Sequence, residues 1–500
     1  MTERHVVVVG AGPGGLACAM LLSEKGFSVT VLEKEAVVGG RNAALECGPY
    51  RFDVGPTFLM MRFVLDALFH RVDRDPDDYL NFFPLEPMYQ LDFVDQSMKI
   101  FSSNETEKEQ AEIERLFPDQ TDGLARFYQQ EGKRFNALMP SLQRGFKHRR
   151  EVLSKEVLRA LPYLAPGKSL FEVLQSYFQE EALSLAFTFQ AKYLGMSPWE
   201  CPGAFAIIPY IEHAFGMYHV EGGLNAISHA FARVVEEEGG RVRTNAEVAE
   251  LLLDGRVARG VRLTSGEEIT ADAVVVNADF AYAMSELVGP GVLKKYSRER
   301  LAKKKYSCST FMLYLGLDTL YDAPHHNVVF ADDYRTNVDD IFKRKVLSDD
   351  FSLYVHNPSV TDSTLAPEGH SAVYVLMPVP NNESTIDWDH SAGGLRERAL
   401  DLLEARTVMT DIRQHIQTEH MITPWDWQHD YHVYRGATFN LSHHLNQMLV
   451  FRPRNQFEEL ANVFLVGGGT HPGSGLPTIY QSAMISSDLI RAAAGQRGRS

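Results

Sequence analysis

The residues best suited to chemistry stand at the start of the chain, in Gly10-Ala-Gly12-Pro-Gly14-Gly15, followed by Glu33 and Lys34. Gly10 permits a tight turn, Gly12 lets the backbone approach a pyrophosphate, and Gly15 lets the next helix pack close to a sheet. A carboxylate at Glu33, about twenty residues on, accepts hydrogen bonds from a ribose 2′-OH and repels a 2′-phosphate. This pattern points to a dinucleotide and by itself leaves NAD and FAD both open. A second glycine-rich loop, Gly467-Gly468-Gly469-Thr-His471-Pro-Gly-Ser-Gly475, runs through Leu476 into Pro477. His471 is its one titratable group; it either hydrogen-bonds the loop backbone or takes part in proton transfer.

Elements of a set kind must hold these loops. Val6-Val-Val-Val9 suits a strand buried on both faces. A helix over 16–25 would aim its N-terminal N–H groups at the phosphates. Gly26 ends that helix, and a strand over 28–32 leads to Glu33. At Glu221-Gly-Gly-Leu224 the pattern resumes: a helix to 238, strands at Val242, 246–253 and 259–263, then a buried strand from Asp272 towards Asn277 and Asp279. Asn462-Val-Phe-Leu-Val466 is a last buried strand, and Pro477 opens a helix to 494.

The stretch 61–212 reads as mostly helical. Within it, Arg144-Gly-Phe-Lys-His-Arg-Arg150 precedes an amphipathic helix over 151–161. Such a pair suits either an anionic membrane surface or a solvated helix end. The segment 182–211 is crowded with Leu183, Leu185, Phe187, Phe189, Tyr193, Leu194, Trp199 and Phe205. These side chains serve either as the core of a second domain or as the lining of a long apolar tunnel. Alternating aromatic strands over 309–316, 351–355 and 371–376 suit a sheet floor. Helix resumes over 395–416, and Lys294-Lys295 and Lys303-Lys304-Lys305 read as solvated.

The fold class is therefore α/β. It combines a Rossmann-type nucleotide-binding domain, from 1–60, 221–290 and 460–500, with a discontinuous helix-plus-sheet substrate domain, from 61–220 and 291–459. Five hundred residues suit two domains, and the 45% hydrophobic content is that of a globular chain. A net charge of −16 leaves no basic excess to neutralise phosphates, so nucleic acid is not an expected partner. Cys18, Cys47, Cys201 and Cys308 are widely spaced, with no His companion at metal spacing. They read as reduced thiols of a cytoplasmic protein, and no metal site is expected. The N-terminal apolar run breaks into the glycine loop, so it is a strand and not a signal peptide.

An NAD dehydrogenase has no need of Gly39-Gly40-Arg41 so soon after the ribose acid. This loop, with Gly55-Pro56-Thr57, resembles those of amine-oxidase and polyene-desaturase flavoproteins. Over nearly its full length the chain resembles the bacterial FAD-dependent carotenoid desaturases of the phytoene desaturase type. The resemblance is carried by Gly10–Gly15, Ser307-Cys-Ser-Thr-Phe-Met-Leu-Tyr-Leu-Gly-Leu317, Leu365-Ala-Pro-Glu-Gly369, Phe451-Arg-Pro-Arg-Asn455 and Leu465–Pro477. Tyr193-Leu-Gly-Met-Ser-Pro-Trp-Glu-Cys-Pro202 and Val433–His443 look closest to the C30 branch, the 4,4′-diapophytoene desaturases.

The resemblance implies FAD as cofactor. Arg41 would lie by the pyrophosphate and ribityl, Gly55, Pro56 and Thr57 by the ring, the Val248 backbone by the adenine, and Asn277 to Asp279 over the cofactor. Gly468, Gly469, Leu476 and Pro477 would bring a helix N-terminus to the flavin edge. The implied activity is stepwise desaturation of an apolar C30 polyene. The alternatives are a C40 phytoene desaturase and a related terminal oxidase or isomerase. His471 or a carboxylate near the ring would accept the proton, and oxygen or a membrane quinone the electrons. The implied location is cytoplasmic, on the inner face of the cell membrane, in peripheral contact with lipid.

Overall fold

Five parallel strands carry the first, middle and last segments of the chain. In the computed structural model, which describes residues 4–93 and 98–497, their order is Arg241–Arg243, Ser28–Leu32, His5–Val9, Ala273–Val276 and Val463–Leu465. The side chains of Arg149 and Tyr193 and residues 498–500 lie outside the described set. Val7 and Val8 are fully buried, as β-branched residues at the centre of a doubly covered sheet should be. The helix Pro13–Ser23 starts three residues before its predicted position, because Pro13 is preorganised for a first turn. It is buried on every side, packed between the helices Asn225–Glu237 and Leu476–Arg497. A three-stranded antiparallel sheet, Val248–Asp254, Val257–Leu263 and Glu268–Thr270, packs against the parallel sheet, with Leu251 and Val261 in one buried cluster with Val7, Val9 and Val276.

A seven-stranded sheet forms the other layer, in the order Ile416–Ile422, Ser309–Leu317, Ser371–Val379, Leu353–His356, His326–Val329, Tyr89–Phe93 and Met98–Ser102. The three predicted floor strands are present with small shifts in their ends. The helical reading of 61–212 needs correction. Phe82–Pro84 pairs with Met217–Val220, and Tyr89–Phe93 pairs in parallel with His326–Val329. The partner strand lies more than two hundred residues away, and its pairing overrides any local preference. The predicted helix over 395–416 is in fact Trp388–Arg406, a short turn Ile412–His415, and an edge strand.

The helix expected over 151–161 is also broken. It forms a 3-10 turn Arg149–Leu153, a short helix Lys155–Ala160 and another turn Leu161–Leu164. Arg144 is ion-paired at 2.7 Å to both Glu151 and Glu156, so part of the basic run is neutralised locally. Lys295 is not merely solvated: it is ion-paired to Glu458, while Glu459 accepts hydrogen bonds from the backbone N–H groups of Lys294, Lys295 and Tyr296. Among the apolar residues of 182–211, Leu183, Phe187, Phe189 and Leu194 are buried in one cluster with Tyr89 and Phe127. For these four the core reading holds. Among the described residues no helix is long and apolar enough to cross a membrane.

Candidate functional site

A cavity of about 550 Å³ opens at the carboxyl ends of the parallel strands. Such a cleft is where open α/β sheets bind ligands. Gly10 has φ +94, which only glycine adopts without strain. A Cβ on Gly15 would lie 2.3 Å from the Gly10 carbonyl oxygen, so helix and strand approach closely only because the side chain is missing. Gly12 and Gly40 lie side by side on the cavity wall, where the Gly39 N–H donates to the Ala11 carbonyl at 2.9 Å. A Cβ on Gly40 would meet nothing within 4 Å except Gly12 Cα, at 3.8 Å. Two adjoining backbones without side chains leave an open stretch of wall, which a pyrophosphate could approach closely.

Glu33 ends its strand with both carboxylate oxygens held. The Ala11 N–H donates to one at 2.8 Å and the Glu35 N–H to the other at 3.1 Å. Burial raises its pKa, opposed by those two bonds. Glu33 and Lys34 line the cavity beside Gly14, and Val248 lies on its wall. Asn277 donates to the Gly10 carbonyl at 3.1 Å, tying the strand Ala273–Val276 to the glycine loop.

Arg41 donates to the Thr438 carbonyl at 2.6 Å. With its amide oriented by its neighbours, Asn440 accepts from Arg41 at 2.9 and 3.0 Å and donates to Asp279 Oδ2 at 2.6 Å. Burial lowers the Arg41 pKa and raises that of Asp279, and each partly restores the other. Pro56 also lines the cavity. Gly55 and Thr57 do not. A Cβ on Gly55 would meet the Arg41 carbonyl at 2.5 Å, so this glycine seats the arginine loop, while Thr57 Oγ1 bonds to Tyr354 Oη at 2.6 Å.

From the closing loop, Gly468, Gly469 and Leu476 reach the cavity, whereas Pro477 lies in the first turn of the last helix. His471 is set behind the loop. Its ring packs edge-on to Phe146 at 4.9 Å, and burial pushes its pKa down to about 3. The loop is held by Arg452, a fully buried residue from the Phe451–Asn455 stretch. Its guanidinium donates to the carbonyls of Gly468 at 2.6 Å, Thr470 at 3.1 Å and Leu441 at 3.2 Å. Neither its role nor that of Asn440 was assigned from sequence, although both lie in quoted stretches. Tyr431, His432 and Val433 also line the cavity, the first two without any local signal; the His432 ring stacks on Tyr282 at 4.4 Å.

These features fit a dinucleotide whose far end reaches Arg41 and the closing loop. A profile of the flavin containing amine oxidoreductases matches residues 13–491. The chain belongs to that family. It is accordingly an FAD-dependent oxidoreductase. It is 54% identical over 97% of its length to a 4,4′-diapophytoene desaturase (4,4′-diapolycopene-forming) of Methylomonas sp, of which 95% is covered. It is 38% identical over 99% of its length to the all-trans-zeta-carotene desaturase of Myxococcus xanthus, of which 94% is covered. The fold also matches cyclohexylamine oxidase from Brevibacterium oxydans, with a TM-score of 0.62 at 15% identity, covering 98% of this chain and 100% of that one. Within the family the chain is a carotenoid desaturase.

Proposed function

We propose that the chain desaturates an apolar C30 isoprenoid of the 4,4′-diapophytoene type in successive steps. The observation that carries this reading is the 54% identity, end to end, with the Methylomonas desaturase. FAD would lie with its pyrophosphate against Gly12 and Gly40, its ribose against Glu33, its adenine by Val248 and its flavin towards Arg41, Pro56 and the loop Gly468–Leu476. On this reading 1–60, 221–290 and 460–500 form the FAD domain, and 61–220 with 291–459 the substrate domain.

When bound, FAD would supply a two-electron oxidant able to accept hydride from a CH2–CH2 unit. The chain's own residues do the rest. A hydrocarbon offers no hydrogen bond, so selection rests on burying apolar area, at about 25 cal/mol per Å². Alignment of the reacting carbons then supplies much of the rate. The second hydrogen leaves as a proton, and its acceptor must reach that carbon. Oxygen or a membrane quinone restores the oxidised enzyme.

We infer that the protein meets lipid through Leu153, Leu158 and Leu161, with Phe451 beside them. Leu153 is 69% exposed, and the turn carrying Phe451 packs against Arg149–Leu153. Replacing the three leucines by serine should release the protein from anionic liposomes, and undiminished sedimentation with them would exclude this face.

The substrate is tested by expressing the chain in bacterial strains that accumulate either C30 diapophytoene or C40 phytoene. Pigment with successive losses of two hydrogens in the C30 strain supports the reading. Pigment in the C40 strain alone reassigns the substrate to phytoene. Oxygen gain or unchanged hydrogen count would place the reaction with the terminal oxidases or isomerases.

A further inference from the structure

Four histidines meet beyond Thr57, where two sheets touch. His219 lies on Met217–Val220, His325 and His326 at the start of His326–Val329, and His356 at the end of Leu353–His356. All four are buried, the most accessible being His325 at 4%. Although no metal site is expected from the sequence, one ring nitrogen from each of His219, His325 and His356 falls within 4.8 Å of the other two. His325 Nε2 and His356 Nε2 are 3.0 Å apart. His219 Nε2 is 2.9 Å from Asp362 Oδ2, and its Nδ1 is buried with no hydrogen-bond partner.

Protein groups alone leave this arrangement incomplete. A single proton shared between His325 and His356 settles their contact, but nothing then satisfies His219 Nδ1. A buried polar atom without a partner is costly and calls for an explanation. A cation between the three rings would use all three lone pairs at once. The outer contacts are those of metal-binding imidazoles, whose second nitrogen is normally held by a carboxylate or another oxygen. Asp362 holds His219, and Thr361 Oγ1 lies 2.8 Å from His325 Nδ1. Asp362 is itself fixed by N–H bonds from Gly222 at 2.7 Å and Thr364 at 2.9 Å.

We propose that His219, His325 and His356 bind one divalent transition-metal ion of the zinc type, with Asp362 and Thr361 orienting His219 and His325. A set of three imidazoles suits zinc and its neighbours and not the oxygen-seeking Ca²⁺ or Mg²⁺. Tetrahedral Zn–N bonds of about 2.0–2.1 Å place ligand nitrogens about 3.3 Å apart. The His325–His356 pair, at 3.0 Å, is slightly closer than that, and His219, whose ligand atom lies within 4.8 Å of both, closes the set by a side-chain movement. His326 stays outside: its Nδ1 bonds to Tyr354 Oη at 2.7 Å, which continues to Thr57. The ion joins strands of two sheets. Through Asp362 and the Gly222 N–H it steadies the turn by which the chain returns to the parallel sheet.

The test uses full-length, flavin-loaded protein without a histidine tag, grown with added zinc. Elemental analysis after dialysis against a mild chelator should find one zinc per chain. Replacement by Co²⁺ should give ligand-field bands to the red of the flavin absorption. His325→Gln with His356→Gln should abolish both signals. Asp362→Asn should keep the site and weaken Zn²⁺ affinity about 10–100-fold. If the double variant does not fold, the wild-type protein still decides: substoichiometric zinc together with no Co²⁺ bands overturns the proposal. Retention of the full signal in a folded double variant overturns it equally.

Discussion

The glycine-lined cleft and the core of the 61–220 segment both bury polar atoms, but they do so by opposite means. In the cleft, the groups are backbone N–H and carbonyl groups on glycine loops, braced by Arg41, Asn440, Asp279 and Arg452. Acid and base there lie within reach of each other. In the 61–220 segment, Glu109 and Glu212 lie fully buried among Tyr89, Gln190 and His213, and among the described residues no lysine or arginine is hydrogen-bonded to either. Burial pushes both acids up to about 8. Preorganised backbone prepares the first region for an anionic ligand. In the second, burial favours the protonated acids.

The contrast breaks most sharply at Gly15. An alanine there places Cβ 2.3 Å from a backbone oxygen that has no freedom to move away. Gly15→Ala should cost about 3 kcal/mol of stability, as overpacking does, and yield protein without flavin. Absorbance at the flavin band and thermal unfolding check this. A yellow, fully loaded variant would show that the helix–strand approach is looser than the geometry requires.

Glu212→Gln sharpens the other side. An acid whose pKa is raised on folding contributes its full stability below the unfolded value, about 4.3, and loses it as pH rises through the folded value. For Glu212 and Glu109 the window therefore runs from about pH 4.3 to about 8, with stability falling by up to 1.4 kcal/mol per pH unit for each. Glutamine keeps the shape and cannot ionise. The variant's thermal midpoint should gain on the wild type steadily between pH 5 and 8. Parallel curves would mean that Glu212 is already charged in the folded protein.

The same contrast explains how far the sequence could be read. The five-stranded parallel sheet and the glycine loops are legible because each depends on neighbours within a few residues: Val6–Val9 for the strand, Gly10 for the turn, Pro13 for the helix. The resemblance placed Arg41 and Asp279, and the cavity brings them together. Strand Tyr89–Phe93 was lost inside a helical reading because its partner is His326–Val329. Arg452, the His219–His325–His356 cluster and the Glu109–Glu212 pair escaped for the same reason. Each is made by segments far apart in the chain, and an isolated Arg, His or Glu carries no mark of what it will face.

His471 joins the two regions, since it belongs to the closing loop by sequence and to a buried apolar environment by position. A general acid–base residue typically contributes about 10²–10⁴-fold to rate. With its ring against Phe146 and its pKa near 3, His471 is a neutral imidazole and a weak base at physiological pH. Its backbone is the better-engaged part: the N–H donates to the Pro453 carbonyl at 3.1 Å, and its carbonyl accepts from Asn455 at 2.9 Å. His471→Gln keeps those backbone bonds and much of the volume. Turnover by the variant, measured with flavin content held equal, should fall less than about tenfold, below the range of acid–base catalysis. A loss of a hundredfold or more, with a changed pH profile, would instead make the ring the proton acceptor. It would also require the loop to move during the reaction, because at rest His471 stands outside the cavity.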